Sequence, residues 1–439
     1  MRAMKDSGID WIGQIPEHWA VWRMKRLASE PLQYGANATG VEFREDIPRY
    51  IRITDISADR KLNAEGKQSL EMDTAQEYML EDGDILFARS GATSGKSFYY
   101  EAAYGSCCFA GYLIRLRTKN TKALSKFLYY YTLTQAYENW TQQIFIQATI
   151  QNISADKYNN LRFAVPESLE EQEAIVAYLD QRCSEIDALI AAKEKTNALL
   201  KERRQSIIYE TVTKGLNPNV PMKDSQVFWI GHIPCHWDVT RLKFYATIRT
   251  GFTLGKRYDA SEELQEYPYL RVANVQGEYT DLSNVTTIYM PASEAEQFKL
   301  HAGELLMTEG GDRDKLGRGS VWHGEIPDCL HQNHVFALAT KEQLNVEYLS
   351  YLTTSSVGRD YFDFTAKKTT NLASTNATTI LEFKIPFPSR EEQDQIVAFL
   401  NRECGAIDEL ITRNDATIAA LKEYRQSVIY EAVTGKIEV

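Results

Sequence analysis

The sequence predicts an α+β fold: two mixed α/β domains, each followed by one long helix, arranged as an internal repeat. Two duplicated blocks and one periodicity predict it. Residues 9–19 read IDWIGQIPEHW and 227–237 read VFWIGHIPCHW, so Trp11 and Trp19 recur as Trp229 and Trp237. The blocks EEQEAIVAYL (170–179) and EEQDQIVAFL (391–400) open two stretches that close with RRQSIIYETVTKG (203–215) and YRQSVIYEAVTGK (424–436). Within those stretches apolar residues return every seven positions, the signature of a helix with a seam. The intervening inserts are far less alike, which suggests a fixed frame holding two different readers.

The elements follow in order. The first insert carries the strand-like runs RYIRITDI (49–56), GDILFAR (83–89) and YLIRLR (112–117), and the second carries YPYLRVANV (267–275), GELLMT (303–308) and HVFALAT (334–340). In register, Arg52 faces Arg271, Gly83 faces Gly303, Cys107 faces Cys329 and Gly111 faces His334. The inserts are diverged copies of one domain with altered loops, a pattern that suits changed specificity on a common scaffold. The stretch 170–213 lacks Pro and Gly, and Gly215 with Pro218 supplies a stop. Its seam is Leu179, Ile186, Lys193, Leu200 and Ile207, with Leu189 between. The second seam is Leu400, Ile407, Asn414, Leu421 and Val428, with Leu410 between. Lys193 and Asn414 place a polar residue at the central layer of each, which costs stability and fixes alignment. Each helix has one apolar seam and needs a partner, and the other helix is the obvious one. Parallel and antiparallel pairings both satisfy the heptads. The divisions are 1–169 and 216–390 for the domains, 170–215 and 391–439 for the helices.

Composition narrows the function. The chain has 439 residues, 44% of them hydrophobic, and a net charge of −11. No apolar run approaches the ~20 residues of a membrane span, and the N-terminus lacks an apolar signal core. Six cysteines without a CxxC pair or a disulfide-framework spacing fit a reducing, cytoplasmic setting. The acid is uneven: 20–169 carries a net +1 and 238–390 a net −4, with most of the remainder on the long stretches. A basic face on an insert is compatible with this balance, although nothing in it demands DNA.

The loops carry the candidate chemistry. RSGATSGKS (89–97) is similar to a phosphate-binding loop but has three residues where GxxxxGK[ST] needs four, and EGGDRDKLGRGS (309–320) lacks the motif. Arg89, Ser90, Thr93 and Lys96 in a glycine-bearing loop suit contacts to DNA phosphates and base edges; a plain solvated hairpin is the alternative. A second polar patch, QATIQNISADKY (147–158) with Gln147 and Gln151, matches AKKTTNLASTNA (366–377) with Lys367, Lys368 and Asn371. These types read adenine and touch phosphate, and are also ordinary turn residues. Cys329, His331 and His334, with His323 nearby, do not have a standard zinc spacing and lack counterparts in the first half. Asp55 with Glu65 and Lys67 is a short ExK-like match of the kind that arises by chance. No Asp/Asn-Pro-Pro-Tyr/Phe tetrapeptide and no nucleophile constellation occurs. No catalytic residue and no metal ligand is expected.

SGIDWIGQIPEHWAVWRMKRL, its echo FWIGHIPCHWDVTRLK, the strands GDILFAR and GELLMT, and EEQxxIVxxL followed by RQSxIYExVT at both ends resemble the specificity (S) subunits of type I restriction-modification systems. The resemblance spans essentially the whole chain. It implies that each domain is a target-recognition domain reading one half of a bipartite, asymmetric double-stranded DNA site. It selects the antiparallel coiled coil with a pseudo-two-fold repeat, setting the gap between half-sites and docking two methyltransferase (M) subunits. It implies no cofactor on this chain, S-adenosylmethionine on the M subunit that methylates a flipped adenine, and ATP and Mg on added restriction (R) subunits. By position, Arg52, Thr54, Asp55 and the Arg89–Lys96 loop would face one half-site. Arg271, Asn274 and the loop from Thr308 through Asp312, Arg313 and Lys315 to Arg318 would face the other. Glu309, Asp312 and Asp314 make the second loop acidic, so the half-sites should differ. The alternative is a coiled-coil assembly scaffold whose inserts bind protein.

Overall fold

Each repeat is anchored by a tryptophan that the core closes over completely: Trp19 and Trp237 are both 0% exposed. The computed structural model describes residues 3–57, 59–91, 93–118, 121–146, 152–311, 316–368 and 373–439. The chain divides into two units, Met1–Glu194 with Asp415–Val439, and Lys195–Asn414. The division cuts each long helix near its middle, so each unit contains a domain and one half of both helices.

In the first unit an antiparallel sheet runs in the order Gln33–Tyr34, Leu113–Leu116, Ile85–Ala88, Ser97–Tyr99. In the second unit the order is Ala246–Thr250, Val335–Thr340, Glu304–Thr308, Gly319–Trp322. The inner strands Ile85–Ala88 and Glu304–Thr308 are buried at every residue, which is why their sequences run apolar without alternation. A smaller sheet joins Cys107–Phe109 in parallel to Arg49–Ile51, and its counterpart joins Leu330–His331 in parallel to Gln265–Leu270. The strand before each long helix pairs back onto the segment after the anchoring tryptophan: Arg162–Val165 with Ala20–Arg23, Lys384–Phe387 with Asp238–Arg241. Diverged copies thus keep one topology.

The long helices span Leu169–Lys214 and Arg390–Val433. Both open on an S-x-x-E signature: Ser168 Oγ accepts the Glu171 N–H at 3.2 Å, and Ser389 Oγ that of Glu392 at 3.2 Å. The glutamates then serve the frame. Glu171 accepts from Trp19 Nε1 at 3.1 Å and meets His18 Nε2 at 2.9 Å, and Glu392 does the same with Trp237 (3.2 Å) and His236 (3.0 Å). The next residues, Gln172 and Gln393, are fully buried. Gln172 donates to the carbonyls of Lys122 and Pro166 and accepts the Leu124 N–H; Gln393 donates to those of Gln343 and Pro388 and accepts the Asn345 N–H. Gly215 ends the first helix with φ +72° against Trp237, and Gly435 follows the second with φ +68° against Pro16 and Trp19. A side chain at either position meets both the wrong backbone region and a packed ring.

Within each unit the helices run antiparallel. Asp187 pairs with Arg425 and Glu194 with Lys422 in the first, and Arg204 with Asp408 in the second. Leu179, Ile186, Leu400, Ile407 and Val428 are buried, while Leu200, Ile207 and Leu421 are half-buried. Leu189 and Leu410 correct the expected seam, being 55% and 48% exposed. The stripe takes the residue four after each seven-spaced position, as at Ile190 and Ile418, not three after. Four residues overshoot a turn by about 40°, three fall short by about 60°, and the partner lies on the overshooting side. The same shift moves the polar layer. Asn414 Nδ2 donates to Asn197 Oδ1 at 2.8 Å, both side chains buried, so Asn197 is a partner of Asn414 at this layer. No helix among the described residues is long and apolar enough to cross a membrane.

Candidate nucleic-acid interface

The loop after Ile85–Ala88 is a closed hairpin leading straight into the antiparallel strand Ser97–Tyr99. Gly95 N–H donates to Ala88 O and Ala88 N–H to Lys96 O, both at 2.8 Å. A phosphate-binding loop must open a helix, and none follows here. Thr93 and Lys96 are half-buried on this hairpin, and Ser90 bridges to Asn152.

The two polar patches separated in sequence are joined in space, identically in both units. Arg89 O accepts the Ile153 N–H at 2.8 Å, and Glu309 O accepts the Thr375 N–H at 2.8 Å. In the second unit Gly310–Gly311, Ala373–Ser374 and Lys367–Lys368 form a small sheet, with Lys367 exposed. Gln147, Gln151, Asp312, Arg313, Lys315 and Asn371 lie outside the described residues, as does the side chain of Lys368. Arg318 is half-buried and packs over Gly277.

Three expected contact residues belong to the framework. Asp55 is 3% exposed and accepts the Arg52 N–H at 2.8 Å, and Asn274, also 3% exposed, accepts the Arg271 N–H at 2.8 Å. Both close a 3-10 turn, where a short side-chain oxygen satisfies an otherwise orphaned donor. Thr308 is 6% exposed, paired with Val335 within its strand. Thr54 is exposed. The arginines differ. Arg52 makes a bidentate pair with Asp55 (2.8 and 3.0 Å), which holds its guanidinium charged above the ordinary arginine range, and it also donates to Gly66 O. Arg271 faces the neutral Asn274, its Nε is buried without a partner, and it has no ion pair among the described residues.

Arg89 is likewise unpaired among the described residues. Its guanidinium lies over the Tyr34 ring, 4.8 Å from the centroid, and its buried Nε lacks a hydrogen-bond partner. The Arg89 N–H donates to Tyr112 O at 3.0 Å and the Glu309 N–H to His334 O at 2.9 Å, which makes Tyr112, not Gly111, the counterpart of His334. One loop residue misled the sequence register there. Tyr34 escaped sequence reading because a lone tyrosine in a two-residue strand carries no pattern.

Cys329 and His331 are both fully buried in the core, His331 bonding Phe298 O through Nδ1 at 2.9 Å. His334 instead faces Glu309, and His323 stands 3.9 Å from Glu347. Burial pushes the thiols of Cys107 and Cys329 up to about 11 and about 12. Among the described residues no three His, Cys, Asp or Glu side chains converge as metal ligands.

Comparison with known proteins agrees with this geometry. The family model described as the type I restriction modification DNA specificity domain matches residues 45–201 and 234–419. The type I restriction enzyme EcoKI specificity subunit of Escherichia coli (strain K12) is 24% identical over 364 residues, covering 81% of this chain and 75% of that protein. The MjaVIII specificity subunit of Methanocaldococcus jannaschii is 24% identical over 378 residues, covering 83% and 82%. In fold, the chain is similar to one solved in work on complex assembly and conformational transition of the type I R-M system, with a TM-score of 0.70, 16% identity and 96% and 99% of the two chains covered. The HsdS subunit from Thermoanaerobacter tengcongensis gives a TM-score of 0.52 at 16% identity over 96% and 98%. With two copies of one domain, unlike loops on a like scaffold and paired long helices, the chain belongs to the type I restriction-modification DNA specificity family and is a specificity subunit.

Proposed function

We propose that this subunit reads a bipartite, asymmetric double-stranded DNA site, one half-site per unit, with the antiparallel helices setting the interval between them. The observation that carries this reading is the equivalence of Arg89 and Glu309: the same backbone bonds hold opposite charges where the two domains present their loops. The chain performs no chemistry itself. It positions two methyltransferase subunits, which supply S-adenosylmethionine and methylate a flipped adenine, and restriction subunits, which use ATP and Mg, in the cytoplasm. Arg89, Thr93, Lys96, Arg271, Arg318 and Lys367 make the protein's own share of the contacts, with Thr54, Ser90 and Arg52 beside them. The acidic balance fits a complex in which the partners provide much of the phosphate contact. The test is methylome sequencing of cells carrying the subunit with its methyltransferase partner. A single two-part motif of fixed gap and unlike halves is expected; methylation without sequence preference defeats the reading.

A further inference from the structure

The two domains share backbone bonds at the loop after the inner strand, and at one position there the chemistry is inverted. Arg89 and Glu309 each follow the buried inner strand, each donate N–H to the residue before the neighbouring strand (Tyr112 or His334), and each accept from the second patch (Ile153 or Thr375). Two like backbones thus carry a cation in one unit and an anion in the other. Neither side chain is spent on folding as a partnered core residue would be. Arg89 stacks flat on Tyr34, which fixes its plane and leaves its donors without acceptors among the described residues. Glu309 is held from one side by His334, whose Nε2 meets the Asn333 amide at 3.3 Å. If Nε2 accepts from that amide, the proton sits on Nδ1 and donates to Glu309, orienting the carboxylate and leaving its other lone pairs to accept. His334 is a positioning residue.

A second inversion compensates the first. The guanidinium of Arg52 is neutralised by Asp55, whereas the counterpart of Asp55 in the second unit is the neutral Asn274 and Arg271 has no ion pair among the described residues. Arg89 in one unit and Arg271 in the other thus have no ion pair among the described residues, while the position after the inner strand changes from donor to acceptor.

Resting on the DNA-reading function above, we infer that Arg89 and Glu309 are the base-discriminating residues that make the two half-sites differ: Arg89 reads a guanine through O6 and N7, and Glu309 accepts from the amino group of a cytosine. A planar fork of donors matches the two acceptors of guanine, and a carboxylate matches the cytosine donor.

The experiment uses the subunit with its methyltransferase partner and reads the methylome motif. Arg89→Lys keeps the charge and removes the fork, so discrimination at one base pair of one half-site should fall roughly ten- to hundred-fold, with the other half-site unchanged. Glu309→Gln should relax one base pair of the other half-site. The reciprocal pair, Arg89→Glu and Glu309→Arg, should each lose the original base at that same single position. His334→Ala should weaken the Glu309 position in the same half-site without altering the half-site read by Arg89. Thermal melting of each complex identifies misfolded variants, and the two conservative substitutions carry the test if the reversals unfold. A motif unchanged in both halves overturns the assignment, and so does a uniform loss of methylation at all sites, which would make these residues phosphate contacts. Both results leave the specificity function standing; a wild-type complex without sequence preference would remove that function instead.

Discussion

His331 shows how one residue can set the behaviour of one unit and not the other. Its counterpart in the first unit, by the parallel pairing of the small sheets, is Phe109. Burial pushes the His331 imidazole down to about 4, with the charge of Arg249 acting in the same direction and the bond to Phe298 O and the charge of Glu304 opposing. Its Nε2 is buried without a donor to meet. The unfolded chain takes up a proton near pH 6.5 and the native unit does not until about 4, so stability is present above pH 6.5 and is lost as pH falls towards 4. Between pH 7 and 5 the loss is about 2 kcal/mol. His331→Phe, the residue the sister domain already uses, should remove that acid sensitivity at the cost of about 1 kcal/mol for the bond to Phe298 O. Melting curves of both proteins at pH 7 and pH 5 check it; equal pH dependence would show that His331 is not the group responsible. At this scale the sequence was least legible. Histidine, cysteine and arginine were visible as types. Whether Arg52 is committed to Asp55, or Thr308 to a strand, depends on burial that one sequence does not display.

At the scale of elements, far more could be read. The two long helices and the strands Ile85–Ala88 and Val335–Thr340 all followed from periodicity and apolar runs. The seam was read one side too far round because Leu189 and Ile190, like Leu410 and Ile411, are apolar neighbours, although Cys183, Cys404 and Ile418 mark the four-residue step at other layers. Asn197 was hidden for the same reason. Its bond with Asn414 predicts a coupled pair of effects. Asn414→Leu should destabilise by about 1–3 kcal/mol, since it removes the bond that the buried Asn197 side-chain oxygen accepts. Adding Asn197→Ile, the residue its repeat counterpart Ile418 provides, should recover most of that loss while weakening the preference for a single register. Denaturant unfolding of the two single variants and the double variant measures the coupling; additive effects would contradict a direct pair.

For the whole molecule, the repeat frame was legible and the contact surface was not. Matching blocks at both ends of each half announced a duplicated architecture, whereas the joining of 89–97 to 152–158 and of 309–311 to 373–375 required the fold, because strand pairing across a domain leaves no local trace. The function assigned to the helices makes a prediction at this scale. Removing seven residues from each helix, in matching positions away from the Asn197 layer, should shorten the interval between half-sites and leave both half-site sequences intact. Methylome sequencing of a complex with native-like melting reads both properties; an unchanged interval would deny the helices the role of a ruler.

The bonds of Gln172 and Gln393 carry a consequence for how such a subunit changes through evolution. Each glutamine grips its domain through two backbone carbonyls and one backbone N–H, and through no side chain of that domain. Every amino acid offers a carbonyl, and every amino acid except proline an N–H. Mutations in a recognition loop therefore need no matching mutation at this fastening, and a domain imported from another lineage would find the same grip waiting. The joint is indifferent to what it holds, which lets targets diversify rapidly on a frame that stays the same.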